Sequence, residues 1–227
     1  MAKAKQTEAS VYLYGPIGPY SDWGEISASD VAEALDKVGS AGTLNVYLNS
    51  PGGAVDEGLA IYANIKRFKA KKVIWVDGLA ASIASIVAMA GDEINMAFNS
   101  RMMIHDPWWV CVGNARDMRA TADLLDKRRD DLLGTYVAKT KGDRNTIASW
   151  MEAETWFSAD EAVRHGFASR KVDGDGEVQM DDRSKVLLAK YRHTPKDLIP
   201  SAESLRRAQC ASQQIITNGF RRTNQGK

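Results

Sequence analysis

The chain has 227 residues, with 30 basic and 29 acidic side chains and a net charge of +1. That length suits one α/β domain with a tail, or two small domains. The balance excludes a protein that is basic throughout, yet the charge is uneven. Residues 173–182 carry five acids and no base, residues 183–227 carry ten bases and two acids, and residues 1–172 sum to −2. An acidic body, an acidic linker and a basic tail are therefore expected. Two cysteines, Cys111 in the body and Cys210 in the tail, argue against a disulfide framework. No cluster of Cys and His has zinc spacing, so no metal is expected. Residues 1–10 lack the apolar core of a signal peptide. The longest apolar stretch, Leu79 to Ala90, contains two serines. It falls short of the roughly 20 residues of a membrane span. A cytoplasmic location away from membranes is the expectation.

Short apolar runs alternate with helical patterns. Val11 to Tyr14 reads as a strand ending at Gly15-Pro16. Ser27 or Ser29 can cap a helix that runs to Val38 and stops at Gly39. Leu44 to Leu48 reads as a second strand, followed by Asn49-Ser50-Pro51-Gly52-Gly53. Val55, Leu59, Tyr62, Ile65 and Phe68 recur at helical spacing. Val73 to Val76 reads as a third strand, and a small-residue helix follows from about Ala81 to Ala90. Ile94 to Ile104 is extended, with a break near Asn99-Ser100. A long polar helix is expected over about Ala115 to Lys139, and Ser158 with Glu161 forms a capping box for a helix ending at Gly166. This alternation predicts an α/β fold with a mainly parallel sheet. Beyond the linker, short helices are expected at Ser184 to Arg192 and Ser201 to Ile216, with a disordered end.

Three features carry candidate chemistry. Ser50-Pro51-Gly52-Gly53 follows a strand directly, and paired glycines can leave N–H groups pointing outward to hold an oxyanion. Gly78 to Ser85 places Ser82 at a strand–helix junction, with the Ile83 N–H beside it. Taken alone, a serine there is better explained as a helix cap. It does not form the G-x-S-x-G elbow, because Ala80 and Ala84 occupy the glycine positions. Met102 to Pro107 closes an apolar run with His105. Of the other histidines, His165 sits in the last turn of a helix and His193 in the tail, which leaves His105 as the good general base of the body. Together the three supply oxyanion donors, a nucleophile and a base.

These segments resemble the proteolytic subunit family of the Clp protease (ClpP), serine proteases with a ClpP/crotonase-like fold. The matching segments are YLNSPGG (47–53), GLAASIAS (78–85), NSRMMIHDP (99–107) and WFSADEAVRHGF (156–167), in the family's order. The resemblance covers residues 11–172, leaving 1–10, the linker 173–182 and the tail 183–227 outside it. It implies repeated β-β-α units and a protruding long helix. It implies that Ser82 is the nucleophile, His105 the base, Gly53 and Ile83 the oxyanion donors, and Gly52 and Ala54 substrate-binding positions, with no cofactor. The family's acid is an aspartate, and its position here is Glu154, a departure from the pattern. Glu152 is the fallback, and Asp106, adjacent to His105, is expected to point the other way along an extended chain.

The family also implies polypeptide substrates and homo-oligomeric rings of about seven subunits or a multiple. The segment Asn114 to Lys139 would join rings through Met118, Ala122, Leu125, Leu132 and Leu133, unless those residues pack within their own subunit. Few residues precede Val11, so the apparatus that docks an AAA+ unfoldase is expected to be shortened. Trp108-Trp109 and Glu154-Thr155-Trp156-Phe157 look like segments of phage and prophage head maturation proteases, which implies capsid or scaffold precursors as substrates. The alternatives are a general ClpP-like peptidase working with an ATPase, an acyl-CoA enzyme of the crotonase fold, and a non-catalytic oligomer. Nucleic acid would bind only through the basic tail, whose simpler reading is a solvated extension.

Overall fold

A computed structural model describes residues 8–21, 24–173, 180–199, 201 and 203. The sheet is built on parallel strands in the order β1 (Glu8–Tyr14), β2 (Thr43–Ser50), β3 (Lys71–Ala81), β4 (Glu93–Ala97) and β7 (Arg170–Val172). The parallel pairing agrees with the sequence expectation and has a visible cause. Leu44, Val46 and Leu48 of β2 are fully buried, and such strands need cover on the sheet faces. Helices α1 (Ala28–Val38), α2 (Val55–Arg67) and α3 (Ile83–Ala88) supply that cover as strand–helix crossovers. Local signals set their ends. The Ser27 hydroxyl accepts from the Asp30 N–H, and Gly39 closes α1 with its N–H on Leu35 and Asp36 carbonyls.

Strand β3 runs five residues past the expected end at Val76. Its first half pairs with β4, while Leu79 to Ala81 pair with β5 (Arg101–Ile104). The sheet therefore splits at Asp77-Gly78. On the branch, β5 pairs antiparallel with β6 (Thr155–Ser158), a strand the sequence pattern did not announce. Helix α6 (Ala159–Arg164) follows, with the Ser158–Glu161 capping box in place.

Helix α4 (Ala115–Thr140) is the long helix. Its buried residues are Leu132, Leu133 and Tyr136, all in its C-terminal part, whereas Met118 and Leu124 are exposed. Most of its first half is exposed, with Thr121 bonded to Cys111 of the preceding loop. Helix α5 (Arg144–Glu152) was not foreseen and buries Ile147 and Met151.

Residues after the linker do not stand apart from the body. Helix α7 (Asp182–Leu188), shorter than the expected 184–192, is followed by a 3-10 turn at Lys196–Leu198. Leu188 and Tyr191 are buried with Leu79, Ala81 and Met103 in a second apolar cluster, separate from the main core. The helix expected at 201–216 and the disordered end fall outside the described residues.

Candidate active site

Ser82 lies between β3 and α3 with φ 55° and ψ −130°, a left-handed conformation rare for a residue with a Cβ. Such strain costs about 1–3 kcal/mol and persists where the surroundings over-determine it. Here the Ser82 N–H donates to the Met103 carbonyl at 2.9 Å. The Ser82 carbonyl accepts from the Ser85 N–H at 2.9 Å and the Ser85 hydroxyl at 2.6 Å. Ser85 is tied in turn to the buried Tyr136 hydroxyl at 2.7 Å. The Ser82 side chain caps no helix N–H. Its Oγ sits 2.7 Å from His105 Nε2.

The glycine turn reaches the same point. Ile17 donates to the Gly52 carbonyl and accepts from the Ala54 N–H, each at 2.8 Å. In this bridge Gly53 lies opposite Ile17, so the Gly53 N–H points away from it, and that N–H has no partner among the described residues. The Ile83 N–H has none there either. Gly52 has φ +90°, and a Cβ there would stand 2.6 Å from the Ala81 carbonyl oxygen and 2.7 Å from Ser82 Cβ. Only glycine permits this approach to the Ala81–Ser82 segment. The turn thus leaves two free N–H groups beside Ser82, with Ala54 immediately after them.

Strand register places the other pair. Ile104 faces Thr155 across the antiparallel β5–β6 ladder, so one further step sets His105 opposite Glu154. Burial lowers the pKa of His105 below its usual value. Glu154 and Asp106 oppose that shift, and Arg192 adds to it. Glu154 is 8% exposed and has φ 52°. Its carboxylate accepts from the His193 N–H at 2.7 Å, the Arg192 N–H at 2.9 Å and Trp156 Nε1–H at 3.4 Å. His105 Nδ1 makes no hydrogen bond among the described residues, so Glu154 and His105 are neighbours without a direct bond. Asp106 points away and pairs with Arg129 at 2.7 Å. Glu152 is exposed on the rim of a cleft of about 520 Å³ that His105, Trp108 and Glu154 also line. His165 packs against Trp150 and Phe157 rings, a structural role.

Sequence reasoning missed Tyr191. Its hydroxyl donates to the Pro51 carbonyl at 2.6 Å and its ring stands edge-on to His105, with centroids 5.3 Å apart. It also interacts with Ser82, and burial raises its pKa, so the phenol stays protonated and donates. The available signal was faint: Leu188 and Tyr191, at helical spacing in the basic tail. Among the described residues no group of His, Cys, Asp or Glu has the arrangement of a metal site.

The arrangement suits acyl transfer, with a hydroxyl on an imidazole and two free N–H groups beside it. Comparisons with known proteins agree with this chemistry. Residues 22–173 match the family model described as Clp protease. The chain is 36% identical over 138 residues to the ATP-dependent Clp protease proteolytic subunit of Leuconostoc citreum, covering 59% of this chain and 69% of that protein. It is 34% identical over 141 residues to the corresponding subunit of Deinococcus radiodurans, covering 61% and 69%. Among solved structures, a single-site mutant of ClpP1 from Listeria monocytogenes superposes with a TM-score of 0.64 at 22% identity. That alignment covers 73% of this chain and 92% of the other, and it shows the fold.

Proposed function

The chain belongs to the Clp protease family, and from that premise we propose that it is a serine endopeptidase of the general Clp type. Ser82 is the nucleophile, His105 the general base and Glu154 the acid. The observation that carries this reading is the 2.7 Å contact between Ser82 Oγ and His105 Nε2 beside the free Gly53 and Ile83 N–H groups. His105 takes the Ser82 proton as Oγ attacks a peptide carbonyl, and the two N–H groups hold the oxyanion. His105 then protonates the leaving amine, and water, activated by the same imidazole, releases the acyl group from Ser82. Gly52 and Ala54 line the turn against which the peptide lies.

The relatives named above are ATP-dependent subunits, and on that basis we assign this chain polypeptide substrates delivered by an ATPase partner. Stacked Tyr12, Tyr47 and Trp75, with Tyr12 exposed at the sheet surface, offer aromatic area for such a partner. A homo-oligomeric ring follows from the family. It is supported by α4, whose first half exposes Met118 and Leu124. Among the described residues no helix is long and apolar enough to cross a membrane. A narrower reading, processing of capsid or scaffold precursors in a phage head, rests on the Trp108-Trp109 and Glu154–Phe157 segments, of which Trp108 and Trp109 are exposed.

A fluorophosphonate probe tests the reading. Labelling of the wild-type chain at Ser82, absent in Ser82→Ala, is the expected result. An unlabelled wild-type chain that cuts no peptide would leave a non-catalytic oligomer. Digestion of a folded substrate with and without an added Clp ATPase, beside capsid precursors alone, separates the general reading from the phage one.

A further inference from the structure

The groove beside Ser82 is occupied by the chain itself. Helix α7 and the residues after it return across the β3–β5 branch and bury Leu188 and Tyr191 against Leu79, Ala81 and Met103, with Trp156 packed alongside. Tyr191 is 8% exposed and touches the nucleophile, the base ring and the glycine turn at once. The same segment acts on the acid: both Glu154 carboxylate oxygens accept from its backbone, at Arg192 and His193. His105 Nδ1 is left without a partner among the described residues. The segment therefore packs beside Oγ and engages both oxygens of Glu154 with donors other than the imidazole. It leaves the Gly53 and Ala54 side of the turn half-exposed.

We propose that Asp181 to Leu198 is an intramolecular inhibitor, docked in the peptide-binding groove through Leu188 and Tyr191 and holding Glu154 through the Arg192 and His193 N–H groups. A substrate peptide enters by displacing it, and displacement frees Glu154 to accept from His105 Nδ1–H. The class of ligand that competes is an extended peptide with a large apolar or aromatic side chain in the Tyr191 pocket. The proposal rests on the peptidase reading above.

Full-length Tyr191→Asp places a charge in the apolar pocket and should undock the segment. The expected result is fluorophosphonate labelling of Ser82 at least tenfold faster than wild type, with a matching rise in hydrolysis of a fluorogenic peptide. A synthetic peptide of residues 181–198, added in trans, should slow that variant again. The same peptide with Tyr191→Asp should not. Tyr191→Phe keeps the ring in its pocket and loses the hydroxyl's contacts with Pro51 and Ser82, and should raise labelling less than Tyr191→Asp does. A second measurement needs no variant. Hydrogen exchange on the wild-type chain should show the Arg192 and His193 amides protected before labelling of Ser82 by a phenyl-bearing probe and unprotected after it. Equal labelling and hydrolysis rates in wild type and a folded Tyr191→Asp overturn the inhibitor and leave the peptidase standing. Unchanged amide protection at full labelling does the same. No labelling in any variant removes the peptidase reading, and this proposal with it.

Discussion

At Gly52 the backbone tolerates no side chain, because a Cβ would meet the Ala81 carbonyl and Ser82 Cβ inside van der Waals contact, at φ +90°. Gly52→Ala should lose about 2 kcal/mol of stability or more by chemical denaturation, and with it Ser82 labelling. Glu154→Gln keeps the volume and removes the charge that favours the imidazolium. Turnover of a peptide substrate should fall on the order of 10³ to 10⁴-fold, as loss of a triad acid does. An unchanged rate would move the acid elsewhere. His105 is held below its ordinary pKa, and the neutral imidazole is the form that takes a proton. The acid limb of kcat/KM should therefore lie below pH ~6.5, the ordinary histidine value. Burial is the main cause, with Glu154 and Asp106 opposing it and Arg192 adding to it. Undocking Arg192 in Tyr191→Asp removes a cation and should shift that limb upward, a change a pH–rate profile reads directly.

Elements show which parts of the molecule the sequence made legible. Helix α1 was readable to its ends because Ser27 and Gly39 mark them through bonds to their own backbone neighbourhood. The Ser158–Glu161 box was readable for the same reason. The extension of β3 through Leu79 to Ala81 was not, because a glycine at Gly78 reads as a stop, whereas here it sits where the sheet divides. Strand β6 has four residues and α5 nine, too few for a period to emerge. Ser82 and His105 were singled out by residue type and surroundings, and the β3–β5 pairing is what brings them within a hydrogen bond. For α4, the expected apolar stripe divides in two. Leu132 and Leu133 serve the subunit's own core, Leu125 is half-buried, and Met118 and Ala122 face outward, as does Leu124, which the expected stripe did not include. Met118→Asp with Leu124→Asp should dissociate the oligomer in sedimentation velocity while the circular dichroism of the subunit stays unchanged. An intact oligomer would place the contact on another surface.

Across the whole molecule, the uneven charge first suggested a body and a separate tail. The described part of that tail is instead continuous with the site. Leu188 and Tyr191 complete an apolar cluster whose other members come from β3 and β5. No local pattern announces this, because Tyr191 and Pro51 are 140 residues apart and a contact at that separation leaves no periodicity in either segment. The same separation sets an order in time. Arg192 lies 38 residues beyond the Glu154 it caps. At a synthesis rate of about 5–20 residues per second, the ribosome takes roughly 2–8 s to add that stretch. Each newly made subunit thus passes through an interval in which Ser82, His105 and Glu154 have all been made and Tyr191 has not.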